Sequence, residues 1–216
     1  MDPVVEAFKK ISIAAVSDAM DRLGIHGACL GISPLAYGYR MAGRAFTVQY
    51  LPVGIDKGTV GDYIDDVPAG SVVVLDNAGR LDCTVWGDIL TAVAHKKGIA
   101  GTVVHGVCRD VALSLELKYP IFSRGKFMRT GKDRVMAVAY NVPVSVGDVQ
   151  VKPGDIVYGT DDGLLVIPRE REQEILETAQ MIEEKEEAIR LEVMKGTPLK
   201  DAREKHGYHR LQSRQT

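Results

Sequence analysis

The segments SVVVL (residues 71–75), GTVVH (residues 101–105) and YPIF (residues 119–122) decide the fold. Each is short, apolar and rich in β-branched or aromatic residues, which is typical of a buried strand. Residues 86–97 place apolar side chains at positions 89, 90, 93 and 94, the spacing of an amphipathic helix. Residues 111–117 can form a second, shorter helix. The order strand, helix, strand, helix, strand predicts a parallel βαβαβ unit with right-handed crossovers.

Further elements are predicted on both sides of this unit. Upstream, we expect a helix over residues 14–23, with Ser12 as its N-cap and Gly24 after its end. The segment GRAFTVQYL (residues 43–51) then predicts a strand. After about residue 135, four short strands are separated by tight-turn sequences, which favours antiparallel hairpins. We expect these strands over residues 142–146, 149–151, 155–158 and 164–167.

The C-terminal part predicts a long charged helix from Arg169 to about Lys195. Its apolar positions form one narrow stripe, which permits two interpretations: a solvated helix packed by one face, or a helix that reaches a neighbouring subunit. No repeat or linker divides the chain. We therefore expect one α/β domain over residues 1–216, with residues 169–216 as its C-terminal helical extension.

Composition excludes several classes of protein. The chain has 216 residues, 45% of them hydrophobic and 26% charged, as in ordinary globular proteins. Its formal charge of −2 lacks the basic surplus of a nucleic-acid-binding protein. No apolar segment approaches the roughly 20 residues of a membrane span, and no signal peptide is indicated. Three cysteines without a C-x-x-C pair favour neither disulfides nor structural zinc, so we expect a cytoplasmic protein.

Two segments lie at the carboxyl ends of predicted strands, where open α/β sheets bind their ligands. The first, residues 79–88, is expected to be a loop that leads into the N-terminus of the helix that follows. The backbone N–H groups and the helix dipole favour an anion there. The N-terminal residues of this helix are Gly87, Asp88, Ile89 and Leu90.

The second segment, residues 106–110, is also expected to be a loop, and one crossover brings it next to the first. Arg109 can clamp a carboxylate through two hydrogen bonds. Asp110 and Asp88 offer the oxygen ligands that Mg²⁺ or Mn²⁺ prefers. Together the two segments predict an anion site beside a metal site.

Each of these residues also has a simpler interpretation. Asp88 could be a first-turn helix charge, and Arg109 with Asp110 an ordinary surface ion pair. His105 could be a core residue or a pocket residue. Cys108 has no evident companion base and is better interpreted as a small buried residue.

Longer motifs resemble the RraA-like family. This family contains class II aldolases that act on 4-hydroxy-4-methyl-2-oxoglutarate and 4-carboxy-4-hydroxy-2-oxoadipate, and regulators of ribonuclease activity. Its members were formerly mislabelled as demethylmenaquinone methyltransferases. The matching motifs are VSDAMDRLG (residues 16–24), GRAFTV (43–48), WGDIL (86–90), GVCRD (106–110) and PIFSRG (120–125). The resemblance covers nearly the whole chain.

The resemblance implies a swivelling β/β/α fold, assembled as a homotrimer or a dimer of trimers with active sites at subunit clefts. It implies that the backbone amides of Gly87, Asp88, Ile89 and Leu90 bind pyruvate. Arg109 would contact the pyruvate moiety, and Asp110 would hold Mg²⁺ or Mn²⁺. Asp88 would reach the metal through water.

The activity implied is cleavage of 4-hydroxy-4-methyl-2-oxoglutarate-type substrates to pyruvate, together with oxaloacetate decarboxylation through the same pyruvate enolate. The general base is not identified; the candidates are a metal-organised water or Glu183, Glu184 or Glu187 of a neighbouring subunit. One departure is His105, where family members commonly carry aspartate, so the substrate stays open.

The alternative function is a non-catalytic regulator that binds and inhibits a ribonuclease. The Arg109–Asp110 pair is compatible with both functions, because regulators can keep it. A methyltransferase is disfavoured, since the sequence has no Gly-rich nucleotide loop followed by a suitably placed acidic residue.

Overall fold

A computed structural model of the chain describes residues 2–56, 58–208 and Leu211. Its strands are β1 (Ser33–Pro34), β2 (Met41–Pro52), β3 (Val72–Thr84), β4 (Gly101–Cys108), β5 (Ile121–Lys126), β6 (Val135–Tyr140), β7 (Val144–Val146), β8 (Val149–Val151), β9 (Ile156–Thr160) and β10 (Gly163–Ile167). Its α-helices are α1 (Pro3–Phe8), α2 (Ile13–Arg22), α3 (Asp88–Lys97), α4 (Val111–Leu117), α5 (Glu172–Met194) and α6 (Leu199–Lys205). Short 3₁₀ helices cover Asp62–Asp66 and Arg169–Arg171.

The main sheet has the strand order β1-β5-β4-β3-β2-β9-β10, and β6 also pairs with β2. Strands β3, β4 and β5 are parallel neighbours, with α3 and α4 in the two connections. The predicted parallel βαβαβ unit is therefore confirmed. Strand β2 adds a fourth parallel strand beside β3. The centre of this sheet is inaccessible to solvent, because Val72, Val73, Val74 and Leu75 are fully buried.

Local sequence signals explain where the helices begin and end. Ser12 is the N-cap of α2, and its side chain accepts the N–H of Ala15 at 3.2 Å. Gly24 follows this helix, and Gly98 ends α3, both with φ of 69°. Glycine adopts this left-handed conformation without steric cost. The helices predicted around residues 14–23 and 86–97 are confirmed within two residues at each end.

The prediction of a loop over residues 79–88 is wrong for residues 79–84, because β3 continues to Thr84. The strand does so through two register shifts against β4, one between Asp76 and Arg80 and one between Arg80 and Thr84. Ala78 and Gly79 have positive φ values of 52° and 67°, the left-handed conformation that one class of β-bulge uses. The second predicted loop is also shorter than expected, since β4 runs on to Cys108.

The antiparallel part of the chain agrees with prediction and adds one strand. β7 pairs with β8 and β9 pairs with β10, both antiparallel. The second hairpin joins the main sheet, because β9 pairs with β2. Strand β6, which was not predicted, lies antiparallel to the far end of β2 with a register shift at Gln49 and Tyr50.

The long helix α5 packs within the chain by one face. Its buried stripe is Ile175, Leu176, Ala179, Ile182 and Ile189. The first four of these residues belong to a core cluster with apolar residues of α1 and α2. The interpretation as a solvated helix packed by one face accounts for this stripe. Residues 209, 210 and 212–216 of the expected extension lie outside the described residues.

The mixed α/β architecture, with a central mostly parallel sheet, antiparallel hairpins and a long C-terminal helix, is the expected fold class. Within the described ranges, no helix is both long enough and apolar enough to span a membrane.

Candidate functional site

The structure brings the two predicted site segments together. Strands β3 and β4 are parallel neighbours, so α3 begins close to the end of β4. The N–H of Arg109 donates to the carbonyl of Trp86 at 3.0 Å, which ties the two segments directly. Arg109 and Asp110 therefore lie beside the N-terminus of α3, as the sequence predicted.

Asp110 connects the charged groups of this site. Its Oδ2 lies 3.2 Å from Nε of Arg109 and accepts the N–H of Asp88 over a longer 3.4 Å. Asp110 adopts the left-handed conformation, with φ of 54°, directly before α4. Aspartate tolerates this conformation better than most residues. No described residue donates a hydrogen bond to its other oxygen, Oδ1, which is thus available to a ligand.

Gly87, the N-cap of α3, permits this close approach. A Cβ atom at this position would lie 2.7 Å from Oδ2 of Asp110 and 3.4 Å from Nε of Arg109. Gly87 has φ of −144°, a conformation open to any residue. Glycine is therefore needed here for space and not for its backbone conformation.

A buried network that the sequence analysis missed holds the start of α3. The hydroxyl of Thr91 donates to the carbonyl of Gly87 at 2.9 Å and accepts Nε1–H of Trp86 at 2.9 Å. Trp86 is 1% exposed and stacks on Tyr119, with ring centroids 6.2 Å apart. The hydroxyl of Thr84 donates to the carbonyl of Trp86. Fixed supporting groups of this kind keep a binding site in one geometry.

A cleft of about 450 Å³ opens along the N-terminus of α3. Its lining comes from the start of α3 and the end of β4, from the region of the 3₁₀ helix Asp62–Asp66, and from three further residues: Trp86, Gly87, Asp88, Ile89, Leu90, Val93 and Arg109; Thr59, Val60, Gly61, Asp62, Ile64 and Asp65; and Thr84, Val85 and Thr130. Its volume is within the range of small-molecule sites. The wall from the 3₁₀ helix Asp62–Asp66 was not predicted, because it depends on contacts distant in sequence.

The carboxylates at the cleft suit a metal site with few protein ligands. No group of three or more His, Cys, Asp or Glu side chains converges anywhere in residues 2–56, 58–208 and Leu211. A closed, all-protein cage of the zinc type is therefore not formed by these residues. Mg²⁺ or Mn²⁺ needs less, because such ions keep several waters and take one or two carboxylates plus ligand oxygens. Asp110, with its available Oδ1, fits that requirement.

His105 is paired away from the cleft. Its Nδ1 lies 3.2 Å from Oδ1 of Asp76, and it is not among the cleft-lining residues. Asp76 also accepts the N–H groups of Ala78 and Ser145. Burial raises the pKa of Asp76, but the hydrogen bonds from His105, Ser145 and Ala78 outweigh it and lower the pKa overall. His105 is thus hydrogen-bonded to Asp76 in a largely buried pair.

Cys108 is fully buried, and burial raises the pKa of its thiol. A protonated, inaccessible thiol is a poor nucleophile. This agrees with its interpretation as a small buried residue.

The three glutamates considered as general bases differ in their surroundings. Glu183 accepts the N–H and the hydroxyl of Ser12 at 3.1 and 2.6 Å, which makes it part of the α2 cap. Glu187 pairs with Arg190 at 2.8 Å. Glu184 is exposed and forms no ion pair with a described residue. Of the three, only Glu184 is not already engaged by the described part of the chain.

Comparison with known proteins gives a consistent assignment. The family model "RraA-like: Aldolase/RraA" matches residues 13–166. Protein DlpA of Legionella pneumophila is 45% identical over 90% of this chain, although the chain spans only 32% of that protein. A Halalkalibacterium halodurans protein named "Putative 4-hydroxy-4-methyl-2-oxoglutarate aldolase" is 35% identical, with 85% of each chain covered.

Solved structures share the fold over most of the chain. An uncharacterized protein from Pseudomonas syringae has a TM-score of 0.87 at 41% identity, covering 93% of this chain and 96% of that one. RraAS2 of Streptomyces coelicolor, described as an unusual member of the RNase ES inhibitor RraA protein family, has a TM-score of 0.79 at 32% identity. It covers 88% of this chain and 97% of that one. Family match, relatives and fold agree: the chain belongs to the RraA-like family.

Proposed function

We propose that the protein is a divalent-metal-dependent class II aldolase. It cleaves 4-hydroxy-4-methyl-2-oxoglutarate-type substrates to pyruvate and decarboxylates oxaloacetate through the same pyruvate enolate. The observation that carries the proposal is the convergence of the α3 N-terminus, Arg109 and Asp110 at one cleft. The name of the H. halodurans relative supports the same reaction class.

The substrate carboxylate binds where positive potential is concentrated. The backbone N–H groups of Gly87, Asp88, Ile89 and Leu90 lie at the positive end of the α3 dipole. Those of Asp88 and Ile89 donate to the carboxylates of Asp110 at 3.4 Å and of Asp88 at 2.8 Å, which a bound substrate carboxylate would replace. Arg109 lines the same cleft and adds a guanidinium suited to a carboxylate. Together these groups orient a 2-oxo acid with its carbonyl carbon towards Asp110.

Asp110 would hold Mg²⁺ or Mn²⁺, with Asp88 contributing through water, and the ion would supply Lewis acidity next to the 2-oxo group. Arg109 adds positive charge where the enolate develops. In the cleavage, the C4 hydroxyl loses its proton and the C3–C4 bond breaks. The electron pair enters the enolate, a carbonyl product leaves, and C3 is protonated to give pyruvate.

We further propose that the protein is a cytoplasmic homotrimer or dimer of trimers. Large apolar side chains are exposed: Ile89, which lines the cleft, is 75% exposed, Leu81 56% and Met128 75%. A neighbouring copy would cover such residues. The cytoplasmic setting is supported by the free and buried state of Cys29, Cys83 and Cys108.

A coupled pyruvate-release assay tests the proposed function. Oxaloacetate and 4-hydroxy-4-methyl-2-oxoglutarate are each supplied with Mg²⁺ or Mn²⁺, then with EDTA. We expect metal-dependent release that is lost in Arg109→Ala and kept in the control Arg171→Ala, which alters an exposed arginine of the 3₁₀ helix Arg169–Arg171. Absence of turnover with either substrate would refute the enzyme, and full activity of Arg109→Ala would refute the site.

A ribonuclease regulator is the second candidate function. The fold shared with S. coelicolor RraAS2 over 88% of the chain favours it. Inhibition of a purified ribonuclease by the protein, without pyruvate release, would replace the first proposal with this one.

A further inference from the structure

One wall of the cleft, formed by the 3₁₀ helix Asp62–Asp66, carries negative charge. Asp62 and Asp65 lie on the 3₁₀ helix Asp62–Asp66, line the cleft, and are exposed. Neither carboxylate forms an ion pair with any residue that the structure describes. The two carboxylates therefore add negative charge to the cleft that Arg109 also lines.

This wall is held in place against α3. Leu90 packs on Gly61, where a Cβ atom would come within 3.1 Å of its Cδ2. Nζ of Lys97, at the other end of α3, donates to the backbone carbonyl of Asp65. Both ends of the 3₁₀ helix are therefore fixed to the helix that forms the anion site, so the acidic wall and the site keep their relative positions.

The rest of the lining next to this wall is apolar. Val60, Ile64, Leu90 and Val93 all face the cleft. Among the described lining residues, Arg109 is the one cationic side chain, against the carboxylates of Asp62, Asp65 and Asp88. Once Arg109 and the α3 N-terminus bind one carboxylate, no described lining residue can neutralise a second. Like charges in such a cleft repel more strongly than in bulk water.

We infer that the cleft selects 4-hydroxy-2-oxo acids whose leaving half is uncharged and apolar over those that carry a second carboxylate there, and that Asp62 and Asp65 determine this specificity. The inference rests on the proposed function and names the substrate class within it. The preferred substrate resembles 4-hydroxy-4-methyl-2-oxopentanoate, which yields pyruvate and acetone. Its comparison compound, 4-hydroxy-4-methyl-2-oxoglutarate, yields two pyruvates through the same bond cleavage.

The experiment compares kcat/KM for these two substrates. We expect the wild type to prefer the neutral substrate by about tenfold, from repulsion of roughly one close charge pair. The double variant Asp62→Asn/Asp65→Asn should move the ratio towards the dicarboxylate by about the same factor. The control Asp66→Asn changes a carboxylate of the same 3₁₀ helix that does not line the cleft, and should keep the wild-type ratio.

Exchange of the pyruvate C3 protons in D₂O, followed by NMR, separates the two proposals. This exchange needs the enolate site but no leaving half, so the Asn variants should keep it. If the wild type does not exchange these protons, the proposed function is overturned, and this inference with it. Normal exchange together with a preference for the dicarboxylate, or with a ratio unchanged in the double variant, would overturn the inference alone.

Discussion

Replacing Gly87 with alanine should disable the site and leave the fold intact. The added methyl would lie 2.7 Å from Oδ2 of Asp110, closer than a carbon and an oxygen can approach. Since Gly87 has φ of −144°, alanine fits the backbone without strain. The Asp110 carboxylate is the group free to move, and its displacement breaks the contacts with Arg109 and with the N–H of Asp88.

The expected magnitudes differ sharply between stability and activity. A glycine replaced at a compatible conformation gains about 0.4–1 kcal/mol from the unfolded chain. Losing a partly exposed ion pair costs about 0.2–1 kcal/mol, so the free energy of unfolding should change by less than about 1 kcal/mol. Displacing a catalytic group by about 1 Å costs about 100-fold in rate, so kcat/KM for pyruvate release should fall by that factor.

The assay measures pyruvate release from oxaloacetate, Mn²⁺ affinity and Tm for Gly87→Ala and for the control Gly54→Ala. A Cβ atom at Gly54 meets no atom of the described residues within 4 Å. The control should match the wild type in all three measurements. Wild-type kcat/KM and Mn²⁺ affinity in Gly87→Ala would refute the placement of Asp110 in the site, and a large loss of Tm would refute the stability argument.

Three further predictions concern the surroundings of the site. Trp86→Phe removes the donor to Thr91 and leaves a gap beside Tyr119, so thermal denaturation should show a loss of about 2 kcal/mol; an unchanged Tm would contradict this. The lowered pKa of Asp76 means that its stabilisation is present above the ordinary carboxyl pKa of 3.8 and is lost as pH falls through the folded value. Asp76→Asn should therefore be less stable at neutral pH and depend less on pH in acid unfolding curves, whereas curves parallel to those of the wild type would count against the His105–Asp76 pair. Cys108→Ala should keep full pyruvate release, because a buried thiol with a raised pKa is no nucleophile; loss of activity at unchanged Tm would reinstate Cys108 as a catalytic candidate.

The central sheet could be predicted because its signals are local. The apolar segments 71–75 and 101–105 are short and rich in β-branched residues, which favours buried strands, and Gly98 marks a helix end. Adjacency of the two site segments followed from parallel strands joined by one crossover. For that reason Arg109 and Asp110 could be placed beside the α3 N-terminus from sequence.

The remaining features depend on pairing between distant residues. Strand β6 forms because β2 offers an open edge about ninety positions earlier in the chain. The continuation of β3 to Thr84 depends on bulges that only its pairing with β4 reveals. The acidic wall at Asp62 and Asp65 reaches the cleft through contacts with α3. A local signal did exist for one missed partner, since Asp76 directly follows the strand segment 71–75 and is the register partner of His105 on the neighbouring strand β4.

Exchange of pyruvate C3 protons in D₂O tests the central claim most directly, because it isolates enolate formation at Arg109 and Asp110. The wild type should exchange these protons with Mg²⁺ or Mn²⁺ and stop on addition of EDTA. Asp110→Asn should lower the exchange rate by at least about 100-fold. Exchange that persists in EDTA, or at the wild-type rate in Asp110→Asn, would contradict a metal-dependent enolate site at this cleft.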